Sequence, residues 1–307
     1  MVLDRVGLTG ATGMLGRHIQ TAFENSSVDV VSVSRAGENL STHWDLGKWL
    51  NSEELDNMFS SIQALVHAGA FVQTYGKIDQ ARMFDVNVRA CFNLGQWALK
   101  RNIPMVYISG AIVYANPFTP LQDELSELGW SGLGGFYGFS KLLAEDVLMR
   151  LRQQGLKVAI IRPTSIYGHG IDKEKMVARF LTTATADGVI ELIEPIEDQV
   201  DLVHASDVAS ATLAVLKHES WDIFNVSSGC PVSISELAEE CLRVAGCGSI
   251  SISGKCQTGY QSRVTYSLDT TRAQERLGWQ PAINIRKGLE MLLHRQYSVS
   301  DWRKEKN

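Results

Sequence analysis

The first sixteen residues constrain this chain more than any other stretch. In Val2-Leu3-Asp4-Arg5-Val6-Gly7-Leu8-Thr9-Gly10-Ala11-Thr12-Gly13-Met14-Leu15-Gly16, an apolar strand runs straight into glycines spaced Gly10-x-x-Gly13-x-x-Gly16. A helical pattern follows, with Leu15, Ile19, Ala22 and Phe23 on one face. In such a turn Gly10 permits a tight bend from strand to helix. Gly13 lets the backbone approach a pyrophosphate, and Gly16 lets the helix pack closely on the strand. The first helical N–H groups and the positive end of the helix dipole then face the phosphates. A glycine pattern alone is a weak signal, but here it sits between a strand and a helix, the context that gives it meaning.

The rest of the composition narrows the class. The 307 residues are 45% hydrophobic, enough for a large core and one or two domains. The net charge is −5 and no basic run is long enough to track a nucleic-acid backbone. No uninterrupted apolar run reaches the length of a membrane span. Cys91, Cys230, Cys241, Cys247 and Cys256 form an odd set without C-x-x-C spacing. They read as reduced thiols, neither disulfides nor metal ligands. With Met1 leading directly into the first strand and no basic-then-apolar leader, the expectation is a cytoplasmic protein that binds no nucleic acid, membrane or metal.

Further along, Val28 to Ser34 reads as a second parallel strand that ends in Ser34-Arg35. The group at this strand end meets the adenosine ribose. A carboxylate there favours the 2′-hydroxyl of NAD, and an Arg accommodates the 2′-phosphate of NADP. Asp29 lies five residues back, toward the wrong end of the strand. Ser34 and Arg35 therefore favour NADP, with NAD as the alternative. Trp44-Asp45-Leu46 and a helix through Leu55 and Phe59 lead to the strand Ala64-Leu65-Val66-His67. That strand ends in Ala68-Gly69-Ala70, small residues that let a second piece of backbone come close. His67, inside an apolar strand, reads as a packed histidine bonded to backbone.

Lys77 to Arg101 has helical periodicity, and Met105 to Ile108 forms a strand ending at Ser109-Gly110-Ala111. A loop with Pro117, Pro120 and several glycines leads to a helix that carries Tyr137 and Lys141. Four residues apart on a helix, the two share a face. The spacing suits a phenol acid/base assisted by an ammonium, whose charge favours the phenolate. The strand Val158 to Ile161 closes with Arg162-Pro163-Thr164-Ser165-Ile166-Tyr167-Gly168. Beyond it come a helix from Met176 to Ala186, an acidic irregular stretch, and a return strand at Val200 to His204. A helix from Ser206 to Lys217, a strand Ile223 to Val226, a helix Ile234 to Val244 and a last helix through Ile285, Leu289, Leu292 and Leu293 complete the chain. Trp221 and Trp279 read as packing residues.

This alternation predicts an α/β fold, a Rossmann-type doubly wound parallel sheet with a smaller C-terminal α/β substrate domain. The dinucleotide-binding domain is expected over 1–168, with 200–227 returning to it. Residues 169–199 and 228–307 are expected to form the substrate-binding region. With Thr9 to Gly16, Asp45-Leu46, His67 to Ala70, Asn87, Tyr137-x-x-x-Lys141, Arg162-Pro163…Tyr167-Gly168, Asp201…Val203-His204…Asp207-Val208, Phe224-Asn225-Val226 and Leu277-Gly278-Trp279-x-Pro281 in this order, the chain resembles a known family. That family is the extended short-chain dehydrogenases/reductases, in their NAD(P)-dependent sugar epimerase/dehydratase group.

The resemblance implies hydride transfer at a hydroxyl or keto carbon of a small sugar-like molecule, in many members a nucleotide sugar. It makes Tyr137 the acid/base and gives Lys141 a second role on the nicotinamide ribose. The cofactor residues it implies are Gly10, Thr12, Gly13, Met14, Leu15, Gly16, Ser34, Arg35, Asp45, Leu46, Ala68, Gly69, Ala70, Asn87, Tyr137, Lys141 and Pro163. It also implies a homodimer through the two long helices near 77–101 and 137–153.

Three positions depart from the pattern of nucleotide-sugar members. A Ser or Thr four residues before the Val-Tyr tyrosine, here Tyr114, is replaced by Gly110. The nearest hydroxyl is Ser109, taken as the second catalytic hydrogen-bond donor, with Thr164 as the alternative. An Asn that contacts the diphosphate is replaced by Ser165, and an Arg before Asp201 by Val200. Arg179 and Arg263 are candidates to replace the lost cation. Two other readings stand beside the first: a carbonyl reductase acting on a non-nucleotide substrate, and a catalytically silent NADP-sensing binding protein.

Overall fold

The computed structural model describes residues 3–35, 42–73, 78–130, 133–254, 261 and 263–297. A seven-stranded parallel sheet forms its centre. The chain runs through β1 (Arg5–Thr9), α1 (Met14–Glu24), β2 (Asp29–Ser34), β3 (Thr42–His43), α2 (Ser52–Met58) and β4 (Ala64–His67). Then α3 (Gln80–Phe84) passes through a π-helical turn, Asp85–Arg89, into α4 (Ala90–Arg101). Next come β5 (Met105–Ile108), a short 3₁₀ turn Ala111–Val113, α5 (Gly135–Gln153), β6 (Val158–Pro163) and β7 (Ser165–Tyr167).

The later part holds α6 (Met176–Thr185), β8 (Val189–Ile193), β9 (Gln199–Val200), β10 (Leu202–His204) and α7 (Ala205–Lys217). It continues with β11 (Ile223–Val226), β12 (Val232–Ser233), α8 (Ile234–Ala245), β13 (Ser249–Ser253), β14 (Val264–Thr265), α9 (Thr271–Leu277) and α10 (Ile285–Tyr297). Strand order in the main sheet is β11-β6-β5-β4-β1-β2-β3. The order reverses beside β1, and in open α/β sheets the crevice at such a reversal, at the carboxyl ends of the strands, is where ligands bind.

The central strands are mostly apolar because both faces of the sheet are covered, whereas the edge strand β3 is polar and exposed. Side chains alternate between the faces with the period of two that a strand imposes. Val6, Leu8, Val66, Val106, Ile108, Ala159 and Ile161 pack under α1 and α7. Leu65, Met105, Tyr107, Val158 and Ile160 pack under α4 and α5. Ile19 and Phe23 of α1 are fully buried, each contributing roughly 1.5–3 kcal/mol of apolar burial.

A third core joins α6, α8, α10 and β8 in the C-terminal part. The stretch expected to be irregular contains β8, which pairs in parallel with β13 and alternates exposed and buried residues. The expected return strand is broken. β9 belongs to a small sheet with β12 and β14, and β10 pairs with β7 outside the main sheet. The chain rejoins the main sheet only at β11. Trp279 is buried, its indole N–H donating to the Asp207 carbonyl and the Ser210 hydroxyl. Among the described residues no helix is long and apolar enough to cross a membrane.

Candidate active site

The glycine turn has the geometry its spacing predicts. Gly10 has φ +74°, and a Cβ there would lie 2.6 Å from the backbone of Gly69. The turns after β1 and β4 thus meet backbone to backbone, a contact that the small residues Ala68 and Gly69 allow. A Cβ on Gly16 would overlap the Gly10 carbonyl oxygen, so α1 can approach β1 only with glycine there. Gly13 caps α1 in extended conformation, with no side chain bonding to the helix end and no acidic residue in the first turn. The first-turn N–H groups, those of Met14, Leu15 and Gly16, are left for an anion.

Beside this turn lies a cavity of about 630 Å³. Gly10, Thr12, Gly13, Ala68, Gly69 and Ala70 line its phosphate side, and Ser34, Arg35, Asp45 and Leu46 line the other end. A nicotinamide dinucleotide fits this cradle, because the small residues Gly10, Gly13, Ala68, Gly69 and Ala70 that line it leave backbone exposed to a pyrophosphate. Arg82 of α3 also lines it. Its guanidinium donates to both Asp45 carboxylate oxygens, at 3.2 and 3.3 Å. Burial works against the Asp45 charge. The Gly47 amide, Arg82 and the nearby Arg35 outweigh it and hold the carboxyl below the usual carboxylate range. No motif pointed to Arg82, since a single cation on a helix has no sequence signature.

Asn87 lies in the π-helical turn, where one extra residue per turn re-aims side chains. Its amide is fully used. Oδ1 accepts from the Phe71 N–H at 2.7 Å, while Nδ2 donates to the Phe71 carbonyl at 3.0 Å and the Ser140 hydroxyl at 2.9 Å. Phe71 lines the cavity, so Asn87 acts on that wall from behind. Pro163 ends β6 opposite Val226.

Tyr137 is half-buried and Lys141 buried on α5. Lys141 Nζ donates to the Ile108 carbonyl at 2.8 Å. It lies 4.8 Å from the Tyr107 ring centre and 5.9 Å from that of Tyr137. Burial pushes the Tyr137 phenol up to about 12. Burial also brings Lys141 down to about 8, against the opposing pull of Cys91 and Glu145. The ammonium was expected to favour the phenolate, yet the phenol moves the other way, because desolvation dominates. At neutral pH the pair is phenol and ammonium, both proton donors.

The strand β5 stops after Ile108, and Gly110 is extended at φ 178°, a conformation open to any residue. Ser109 donates its hydroxyl proton to Glu145. Glu145 in turn forms a bidentate pair with Arg162, the shortest contact being 2.7 Å, with both side chains buried. Thr164 gives its proton to Asp201 at 2.9 Å. His67 is packed as expected, but its partner is a side chain. Thr9 Oγ1 and His67 Nδ1 are 2.6 Å apart, and burial, with Lys141 nearby, lowers the imidazole to about 3.

A doubly wound sheet with a glycine cradle at the switch point, and a Tyr-x-x-x-Lys pair whose lysine reaches the end of β5, define a nicotinamide-dinucleotide oxidoreductase. The model of the NAD dependent epimerase/dehydratase family matches residues 6–227, and the chain belongs to that family. It is an enzyme of the extended short-chain dehydrogenase/reductase type, a group of NAD-dependent epimerases, dehydratases and reductases.

Among its relatives is the dTDP-4-dehydro-6-deoxyglucose reductase of Escherichia coli, 26% identical over 93% of this chain and 95% of the relative. The GDP-6-deoxy-D-mannose reductase of Pseudomonas aeruginosa is 26% identical over 97% of both chains. Of solved structures, MoeE5 in complex with UDP-glucuronic acid and NAD shares the fold at TM-score 0.81 and 22% identity, over 96% of this chain and all of the other. The UDP-glucose 4-epimerase of Thermus thermophilus, in complex with NAD, does so at TM-score 0.81 and 20% identity, over 96% and 99%.

Proposed function

We propose that the enzyme is an NADPH-preferring reductase of a keto sugar carried on a nucleoside diphosphate. The observation that carries this reading is the placement of Tyr137 and Lys141 one turn apart on α5, with Lys141 buried and its Nζ 5.9 Å from the Tyr137 ring centre. A half-buried phenol raised to about 12 beside a buried ammonium is set to give a proton to a carbonyl oxygen, the need of the reductive direction. When bound, the nicotinamide supplies the hydride. Tyr137 gives its proton to the oxygen that becomes the new hydroxyl. Lys141 stabilises the phenolate left behind. Ser109 and Thr164 have committed their hydroxyl protons to Glu145 and Asp201, so Tyr137 acts as the donor.

The NADP preference rests on two cations, Arg35 and Arg82, at the ribose end of the cavity. The nucleotide-sugar reading rests on relatives whose names carry dTDP and GDP. It also rests on Arg263, whose carbonyl accepts from the Gln199 N–H at 2.8 Å, next to the Val200 that replaces the expected arginine. Its guanidinium lies 4.5 Å from the Phe118 ring centre and 3.3 Å from Asp198.

The test is cofactor oxidation with dTDP-, GDP- and UDP-linked keto sugars. Consumption of NADPH with one of these series, faster than of NADH, is expected. Epimer formation with no net cofactor oxidation would replace the reductase reading with an epimerase.

A further inference from the structure

Tyr137, Lys141 and Glu145 occupy successive turns of α5, so helical spacing stacks all three on one face. The chemistry proposed above uses the first two. Glu145 lies one turn deeper and is almost completely buried. Arg162 on β6 grips it through Nε and Nη2, and Ser109 donates to its Oε1. Arg162 Nη1 is itself tied to the Tyr114 hydroxyl and the Glu124 carbonyl, at 3.2 Å each. The carboxylate is fixed at once from β6 and from the residue that follows β5.

The groups around Lys141 give this carboxylate its significance. His67 faces it from β4, Tyr107 from β5, Cys91 from α4 and Tyr137 from α5 itself. At neutral pH all four are uncharged. The imidazole is lowered to about 3, the Cys91 thiol is pushed up to about 12, and burial raises both phenols. Arg162, paired with Glu145, carries a charge of the wrong sign. Of these neighbours only Glu145 carries a negative charge. An ammonium buried among neutral groups loses its proton readily, and the Ile108 carbonyl, a dipole, offsets only part of that cost.

We propose that Glu145 is a positioning residue: clamped by Arg162 and Ser109, its carboxylate is the counter-charge that keeps the buried Lys141 ammonium protonated beside Tyr137. The clamp also gives Ser109 its place in the site, as an anchor of Glu145. This deepens the acid/base reading of Tyr137 and Lys141 and rests on it for its meaning in catalysis.

The test reads Lys141 directly, by NMR titration of protein carrying ε-carbon isotope-labelled lysine, with Lys141→Arg assigning the signal. In Glu145→Gln the Lys141 midpoint falls by about one pH unit or more. In the double variant Glu145→Met/Arg162→Met, which removes both charges and leaves neither unpaired, it falls by less. The double variant also supplies the answer if Glu145→Gln does not fold. A merely structural Glu145 lowers the melting temperature and leaves the midpoint where it was; that result overturns the proposal. Failure of the acid/base reading shows up separately, as a Tyr137→Phe variant with unimpaired turnover while the Lys141 midpoint still moves.

Discussion

Asn87 Nδ2 lies 2.9 Å from the Ser140 hydroxyl, joining the π-helical turn before α4 to the helix that carries Tyr137 and Lys141. The same amide holds both backbone groups of Phe71, a wall of the dinucleotide cavity. Ser140 passes its own proton to the Tyr137 carbonyl at 2.7 Å. One side chain therefore couples the cofactor wall to the acid/base helix. Asn87→Ala leaves the Phe71 groups without their partner, at about 1–3 kcal/mol for each buried polar group left unsatisfied. A folded Asn87→Ala protein is expected to bind NADPH roughly tenfold more weakly, as read by fluorescence titration. Unchanged affinity would show that the Phe71 wall needs no support.

Gly16 separates sterics from helix propensity. Inside α1 an alanine should add about 1 kcal/mol of stability over glycine by propensity alone. A Cβ at Gly16, however, runs into the Gly10 carbonyl and Ala11. Overpacking of this kind costs about 1–3 kcal/mol or more, so Gly16→Ala is expected to lower the melting temperature. At Gly13 the added Cβ would sit 3.3 Å from the Gly10 carbonyl, a contact that a small shift relieves. Gly13→Ala is expected to keep its stability and lose cofactor affinity. Thermal melts of the two variants with and without NADPH distinguish these outcomes.

Tyr137→Phe removes the phenol proton and little else. Loss of a general acid typically costs about 10²-fold or more in turnover, while NADPH binding stays near the wild-type value. Lys141→Ala is expected to reduce both turnover and NADPH affinity. Wild-type kcat for Tyr137→Phe on the true substrate would remove Tyr137 from the chemistry.

How much of this was legible in the sequence depended on the length and burial of each element. Ala64–His67, Met105–Ile108 and Ile223–Val226 have the bounds their apolar runs predict, because strands buried on both faces stand out between glycines, prolines and polar turns. β8 was missed inside an acidic stretch, and β9, β12 and β14 are two-residue strands too short to show a period. The π-helical turn adds one residue to a pattern that otherwise reads as continuous helix. At the candidate site, the glycine turn and the Tyr137/Lys141 pair were visible because a tight turn and a helical face each fix a residue spacing. Glu145 shares that spacing with Lys141 and could have been found by it. Arg82 could not, since only the fold brings α3 over Asp45. That Ser109 donates to Glu145 lay equally out of reach, because strand alternation gives the face a side chain takes and not what waits there.

His67 makes stability fall in mild acid. Its imidazole titrates near 3 in the folded protein against 6.5 for the free group, so between these values the unfolded chain binds the extra proton. Stability is complete above about 6.5 and is lost progressively as the pH drops toward 3. From neutrality to about pH 5 the loss is ~2 kcal/mol, at 1.36 kcal/mol per unit. The part of this window between neutrality and pH 5 lies above the usual range of the carboxylates and is therefore open to measurement. His67→Gln, which keeps an acceptor for Thr9, is expected to lack this slope in urea melts at the two pH values. Equal slopes in both proteins would mean that His67 gains its proton without unfolding.

The last prediction concerns the two arginines of the ribose end. Arg35 is exposed, whereas Arg82 is held on Asp45. If each gives one charge-assisted bond to a 2′-phosphate, each is worth about 1.5–3 kcal/mol, or at least tenfold in NADPH affinity. Loss of Arg82 has a second consequence. It leaves the Asp45 carboxylate without its nearest cation, facing the same end of the cavity, and a bare carboxylate repels a phosphate dianion. Arg82→Ala is therefore expected to weaken NADPH binding more than Arg35→Ala does, and Asp45→Asn added to Arg82→Ala should recover part of the loss. NADH, which lacks the phosphate, should change little in any of these variants. Calorimetric titration of both cofactors against the four proteins checks the order. Equal NADPH and NADH affinities in the wild type would refute the preference, and an Arg82→Ala effect no larger than that of Arg35→Ala would show that Asp45 is too far from the phosphate to matter.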